Sequence, residues 1–299
     1  MPAPGKPVIG FIGLGRIGRP ICRRLCDAGF RLVVFDIDPG ATAALTDRAT
    51  PGSSPLDVAD RCDIVFACLQ TVDQYRRAVT GSDGVVHASR AKIYVHLGTT
   101  GRESVTTIAG ELAACGMETV DAPMSGGVSG AAAGTLVSMV SGPAAAVEAI
   151  GPCLAAYSRR VVHLGEAPGL AQTMKLVNNM LSAANLVIAA DVMVVGAKAG
   201  LPVDVMLDVL NHGTGQNSAT LTKIPNSIAT RRFDVGSTLA NGIKDLTAYR
   251  AEALAAGADT ALCDAILGCF RTAAAQGSPD DDFGTVVAPL ERMAGVELK

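Results

Sequence analysis

Basic residues are not in excess in this 299-residue chain: 25 Lys and Arg stand against 28 Asp and Glu, for a formal net charge of −3. A nucleic-acid-binding surface needs clustered positive charge. Here arginine occurs in isolated pairs, such as Arg23–Arg24, Arg76–Arg77 and Arg231–Arg232, which read as solvated helix faces or loop edges. Nucleic acid is therefore not an expected partner. The eight cysteines form no CxxC pair, and the four histidines do not cluster with them, so no metal site is expected. The thiols read as reduced, buried small hydrophobes. The stretch from Met1 to Lys6 lacks the apolar core of a signal peptide. The most apolar run, Leu181–Gly196, is broken by Asn185 and Asp191 and does not read as a membrane span. A cytoplasmic protein with no membrane partner is expected. Internal repeats and low-complexity tracts are also missing.

What is present is enough apolar residue, 49% of the chain, for a sizeable core. Val8–Ile12, Leu32–Phe35, Ile64–Leu69, Ile93–Leu97 and Val137–Val140 are short runs, apolar throughout but for His96 and Ser138. Strands buried on both faces of a parallel sheet have this character, and helical stretches alternate with them. After Val161–Leu164 the strand signals stop. A single apolar stretch then runs from Gly169 to Ala199, closed by Gly200-Leu201-Pro202. Helical runs follow over Val203–Leu210, Leu246–Ala256 and Ala261–Ala275.

Gly13-Leu14-Gly15-Arg16-Ile17-Gly18 is a GxGxxG that follows the first apolar strand and opens a predicted helix over Arg16–Ala28. A second strand ends in Asp36, 18 positions after the last glycine. Gly13 permits the tight turn, Gly15 lets the backbone approach a pyrophosphate, and Gly18 lets helix and strand pack closely. Backbone N–H groups at the helix start face the phosphates. Asp36 would accept from the ribose hydroxyls and repel a 2′-phosphate, so NAD is expected over NADP. The fold class is α/β: a Rossmann-type doubly wound parallel sheet followed by an all-α C-terminal domain. The boundary is set near Gly165, giving a dinucleotide-binding domain over 1–164 and a helical domain over 165–299, opened by a long interdomain helix.

Three further blocks suggest chemistry. Ser125-Gly126-Gly127, within Asp121–Gly127, offers a hydroxyl and backbone N–H donors suited to a carboxylate. Lys175 and Asn179 are four apart on a strongly apolar helix and share a face. A lysine there must snorkel, pair or line a cavity, and burial would lower its pKa towards useful acid–base chemistry. Lys244-Asp245-Leu246 lies at the start of a helix, with Asp245 read as an acidic residue facing its dipole.

With the GxGxxG, these blocks make the chain resemble the β-hydroxyacid dehydrogenase family, which includes 3-hydroxyisobutyrate dehydrogenase and tartronate semialdehyde reductase. The resemblance implies that Lys175 is the general acid/base and Asn179 its supporting residue. It implies that Ser125, Gly126 and Gly127 hold the substrate carboxylate. Gly13, Leu14, Gly15, Arg16, Ile17, Gly18, Asp36, Leu69, Thr99 and Lys244 would line the cofactor, with the nicotinamide near Thr99 and Met124. The implied substrate is a small β-hydroxy acid, 3-hydroxyisobutyrate or the glycerate/tartronate semialdehyde pair being the types. The chain departs from the family at His96-Leu97-Gly98-Thr99-Thr100-Gly101-Arg102. There His96 replaces an acid, Gly98 a serine, and Arg102 a proline. The polar stretch Asn211–Asn226 reads as a loop that helps close the site, with Gln216, Asn217 and Ser218 as distal contacts. The long apolar helix suggests a homodimer or homotetramer. An imine reductase on the same scaffold and a non-catalytic NAD-binding scaffold protein are the alternatives; retention of Lys175 speaks against both.

Overall fold

The computed structural model describes residues 5–299. Most of the Met1–Lys6 stretch read for a targeting segment lies outside them. The chain divides into two compact units, one ending at Lys175 and the other spanning Leu176–Lys299. The division falls ten residues beyond Gly165, inside a long helix.

The first unit contains a six-stranded sheet: β1 (Val8–Ile12), β2 (Arg31–Phe35), β3 (Thr50–Pro51), β4 (Ile64–Ala67), β5 (Ile93–His96) and β6 (Glu118–Asp121). The order is β3-β2-β1-β4-β5-β6 and every pairing is parallel. The connecting helices are α1 (Gly18–Asp27), α2 (Pro39–Ala43), α3 (Pro55–Arg61), α4 (Val72–Thr80) and α5 (Arg102–Ala114). Alternate strand residues enter different cores. Ile9, Phe11, Val34, Phe66 and Val95 pack on one side, and Ile12, Val33, Val65 and Tyr94 on the other. This two-sided burial is why the strands read as continuous apolar runs. The chain reverses direction across the sheet between β1 and β4, which opens a crevice at their carboxyl ends.

A second sheet completes the unit: β7 (Met124–Ser125), β8 (Leu136–Val140) and β9 (Ser158–His163), with α6 (Gly127–Ala133) and α7 (Ala144–Tyr157) between them. β7 and β8 are antiparallel, β8 and β9 parallel. Val137–Val140 thus belongs to a small mixed sheet and not to the main parallel one. Periodicity reports that a strand is buried but not which strands it pairs with. The sixth place in the main sheet is taken by β6, whose mixed run Glu-Thr-Val-Asp carries little strand signal.

The second unit is helical: most of α8 (Leu170–Lys198), α9 (Val203–His212), a π-helical segment (Ala219–Ile228), α10 (Leu239–Ala255), α11 (Ala261–Gln276) and α12 (Ala288–Ala294). Its core joins Leu186, Ala190 and Met193 of α8 to Ile224, Leu246, Leu267 and Phe270. The α8 bounds match the predicted run. Among the described residues α8 is the one helix long and apolar enough to cross a membrane. Its inner face is nonetheless spent on this core, and Lys175, Asn179 and Asp191 interrupt it.

Two expectations need correction. Lys244 and Asp245 do not stand at a helix start. Thr238 caps α10 by accepting from Asn241 N–H, so both lie in its second turn. Gly242 hides this early start because it is a poor helix former. Its place is set by packing: a Cβ there would lie 2.8 Å from the Phe270 ring and 3.0 Å from Phe283. The stretch Asn211–Asn226 is a loop only between α9 and Ala219; beyond that it is helical, with Ile224 and Ile228 buried.

Candidate active site

The glycine turn is built as its spacing demands. Gly13 has φ +94°, and a Cβ on it would meet the Cys68 carbonyl oxygen at 2.4 Å. Gly18 is buried against the Gly13 carbonyl, where a Cβ would lie 2.0 Å away. Nothing stands within 4 Å of the Cβ position of Gly15, which leaves space for a phosphate. α1 starts at Gly18, two residues later than predicted, and Arg16 is exposed just before it. Asp36 anchors the turn. Its Oδ2 accepts the Leu14 N–H at 2.6 Å and its Oδ1 the Asp38 N–H at 2.9 Å. A carboxylate has about four acceptor sites, so two remain for ribose hydroxyls. Asp36 also lines a cleft with Phe35, Ile37, Thr42, Pro51 and Gly52, at the carboxyl ends of β2 and β3. These features fit a dinucleotide: a turn for the pyrophosphate, an acid for the ribose, and an apolar cleft for the base.

The ends of β4 and β5 are organised by Tyr75 of α4, which sequence reasoning missed. Its buried hydroxyl donates to Ala67 O at 3.0 Å and accepts from Leu69 N at 3.0 Å and Gly98 N at 2.7 Å. One oxygen thereby ties the ends of β4 and β5 together. Burial pushes its pKa upward. The same hydroxyl explains Gly98: a Cβ there would sit 2.4 Å from it. Any side chain at position 98 would meet Tyr75. His96 adds a second ring to the contact. It is fully buried, stacks on Tyr75 with ring centroids 3.8 Å apart, and has Nε2 3.1 Å from Thr100 Oγ1. Burial lowers its pKa to about 3, so it is a neutral packing residue at neutral pH. The signal for Tyr75 lay in Gly98 and His96, a small residue and a ring at the end of β5.

Ser125 ends β7, and Gly126 and Gly127 follow at φ +127° and +63°, conformations that side chains other than glycine rarely adopt. The turn is therefore specific in shape, and Ser125 is half-buried beside it. Asp121, just upstream, is completely buried, and burial raises its pKa to about 7 against the pull of N–H donors from Gln172.

Lys175 is half-buried on α8, with Asn179 one turn further on. In the helical unit Asn179 Nδ2 donates to Asp245 Oδ2 at 2.7 Å, and Lys244 Nζ lies 3.2 Å from Asp245 Oδ1 as an ion-pair contact. Asp245 thus fixes the Asn179 amide and holds Lys244, a role different from facing a helix dipole. A further lysine went unread. Lys223 donates to Ser182 O at 3.0 Å and Ser182 Oγ at 2.6 Å, and lies 5.5 Å from the centroid of the Phe283 ring. Burial lowers its pKa to about 8. All eight cysteines are unpaired thiols; Cys22, Cys62, Cys153 and Cys263 are buried as expected, but Cys26, Cys68 and Cys269 are half-buried and Cys115 is exposed. Among the described residues no cluster of His, Cys, Asp or Glu has metal-binding geometry.

A parallel sheet of this order with a glycine turn, a ribose acid and a long helix bearing lysine and asparagine defines a nicotinamide-dependent oxidoreductase. Residues 8–165 match the family described as the NAD binding domain of 6-phosphogluconate dehydrogenase. Residues 169–290 match the family described as the NAD-binding domain of NADP-dependent 3-hydroxyisobutyrate dehydrogenase. The chain is 31% identical to a 2-(hydroxymethyl)glutarate dehydrogenase of Eubacterium barkeri, over 97% of each chain. It is 31% identical to an NAD-dependent L-serine dehydrogenase of Pseudomonas aeruginosa, over 93% of this chain and 96% of that one. The solved 3-hydroxyisobutyrate dehydrogenase of Mycobacterium tuberculosis with L-serine superposes with a TM-score of 0.87 at 29% identity, covering 95% of this chain and 99% of that one. The chain belongs to the β-hydroxyacid dehydrogenase family and is an NAD-binding oxidoreductase.

Proposed function

We propose that this enzyme interconverts a small β-hydroxy acid and its carbonyl form, with Lys175 as general acid/base and NAD preferred to NADP. The observation that supports this most directly is Lys175 half-buried on α8, one turn before an asparagine whose amide is held by Asp245. Ser125, Gly126 and Gly127 bind the substrate carboxylate through the hydroxyl and the N–H groups of the strained turn. Asn179 orients the substrate hydroxyl. In oxidation Lys175 accepts the hydroxyl proton at Nζ, and in reduction it returns it. Bound NAD supplies the hydride acceptor. Gly13–Gly18, Asp36, Leu69 and Thr99 would hold it, and the carboxylate of Asp36 would repel a 2′-phosphate.

The relatives act, by name, on 2-(hydroxymethyl)glutarate, L-serine and 3-hydroxyisobutyrate. The shared chemistry is a carboxylate with a hydroxyl on the β carbon, and that is the substrate class proposed here. The same reading places the enzyme in the cytoplasm as a homo-oligomer. Met174, Val177, Leu181, Ile188, Val192 and Val195 form an exposed apolar stripe at helical spacing along α8, which a second copy would cover; light scattering that gives a monomer mass would reject this. The activity is tested by following NADH absorbance with L-serine, 3-hydroxyisobutyrate, glycerate and 2-(hydroxymethyl)glutarate, with NAD and then NADP. Turnover of one acid, faster with NAD, supports the proposal. NADH binding without turnover of any acid rejects it.

A further inference from the structure

A single buried amide joins three segments of the first unit. Gln172, in the first turn of α8, is completely buried. Its Nε2 donates to Asp121 Oδ1 at 2.7 Å and to Gly98 O at 2.9 Å. Its Oε1 accepts from Thr100 N at 2.9 Å and Gly101 N at 3.1 Å. Both donors and both acceptors of the amide are used, so its orientation is unique: a flipped amide would set N–H against N–H at Thr100 and Gly101.

These bonds are not needed to start the helix. The first N–H groups of α8 are met by other partners. Ala171 N donates to Ser141 Oγ at 3.0 Å, and Gln172 N to Asp121 Oδ2 at 2.9 Å. The Gln172 side chain is spent wholly on other elements. What it joins is informative. Lys175 follows three residues later on the adjoining turn of α8. Ser125 follows Asp121 by four residues. Gly98, Thr100 and Gly101 surround Thr99.

We propose that Gln172, braced by Asp121, is a positioning residue for hydride transfer, setting the catalytic lysine in register with the nicotinamide loop and the carboxylate turn. This rests on the roles given above to Lys175, Thr99 and Ser125. In a buried site such bonds hold geometry tightly, and a displacement of about 1 Å at a reacting group costs on the order of 100-fold in rate.

The test compares wild type, Gln172→Met, Gln172→Glu, Asp121→Asn/Gln172→Glu and Lys175→Ala. NAD-dependent oxidation of L-serine and of 3-hydroxyisobutyrate is measured at a temperature well below each melting point. NADH affinity is read by fluorescence. Gln172→Met keeps the length of the side chain and removes its polarity. Its kcat is expected to fall about 10- to 100-fold, with KM and NADH Kd within about threefold of wild type. Gln172→Glu sets two carboxylates together and should also lose turnover. The double variant reverses donor and acceptor across the Asp121 contact while the Gly98 carbonyl still faces a carboxylate, and should recover part of the turnover lost in Gln172→Glu. A lowered melting temperature with kcat unchanged for Gln172→Met would mean a merely structural amide and overturn the proposal. So would failure of the double variant to exceed Gln172→Glu. If Lys175→Ala keeps its turnover, the underlying reading of the site fails, and the positioning role with it; Lys175→Ala inactive beside a fully active Gln172→Met refutes the positioning role alone.

Discussion

The two units place their functional groups by different means. In the first, the dinucleotide turn is backbone architecture. Gly13 and Gly18 exist because any Cβ would strike a carbonyl, and Asp36 works by accepting main-chain N–H groups. In the helical unit the corresponding work is done between side chains. Asn179 is held by Asp245, Lys244 lies against the same carboxylate, and Lys223 rests on Ser182. Backbone architecture demands particular residues at particular spacings, because only glycine tolerates those contacts. Side-chain pairing demands only that two polar residues meet, and either can come from a distant part of the chain. The Asn179–Asp245 bond spans 66 positions.

The contrast can be sharpened by substitution. The largest effect is expected at a group that acts on substrate. Lys175→Ala should lower kcat by at least about 100-fold while NADH still binds; near-normal turnover in a stopped assay of the purified variant would remove Lys175 from catalysis. Next comes a contact of the backbone kind. Gly98→Ser places a Cβ 2.4 Å from the Tyr75 hydroxyl, and urea unfolding should show a loss of about 1–3 kcal/mol. An unchanged midpoint would mean that α4 yields freely and that Tyr75 does not hold the crevice.

A smaller effect is expected at Asp36, which anchors the glycine turn and is proposed to meet the ribose. Asp36→Ala should weaken NAD by about tenfold and narrow the gap between NAD and NADP. Equal loss with both cofactors, read by fluorescence titration, would assign Asp36 to the turn alone.

The gentlest contrast is in pH. Buried Asp121 titrates near 7 against 3.8 when unfolded, so the native state holds a proton that the unfolded chain has released. Its contribution to stability is greatest below about pH 4 and falls as pH rises to about 7. Lys223 titrates near 8 against 10.5, so there the unfolded chain holds the extra proton, and stability rises between about pH 8 and 10.5. Denaturation of Asp121→Asn and Lys223→Met across these windows should each flatten one slope and leave the other. If Lys223→Met leaves the alkaline slope intact, its ammonium is well solvated in the native state.

How much of this was legible varied with the kind of constraint. The parallel sheet, the glycine turn and the limits of α8 could be read because apolar periodicity and stop signals are local. Val137–Val140 was seen as a strand but set in the wrong sheet, since pairing is not a local property. Lys244 was placed before its helix because Asn241 and Gly242 weaken the local helix signal, while Thr238 and the Phe270–Phe283 contact start α10 earlier. The departure at His96 and Gly98 was visible, but its cause was not. Tyr75 lies more than twenty residues away, and nothing in its own neighbourhood announces that its hydroxyl will meet the end of β5. Gln172 stood in plain view, a lone amide at the head of an apolar helix, yet only its four partners give it meaning.

The sequence by itself determined the class of this protein. A GxGxxG between strand and helix and an acid after the second strand are short-range patterns whose chemistry follows from spacing; for the lysine and asparagine one helical turn apart, spacing gives a shared face and the family resemblance implies the role. Tertiary structure decided what surrounds those patterns. It determined which strands pair, why glycine rather than serine faces Tyr75, which carboxylate steadies Asn179, and which buried amide binds the start of α8 to two loops. Such contacts close over long loops of chain and are fixed by packing and by the cost of leaving a buried polar group unpaired; no local pattern of residues encodes them.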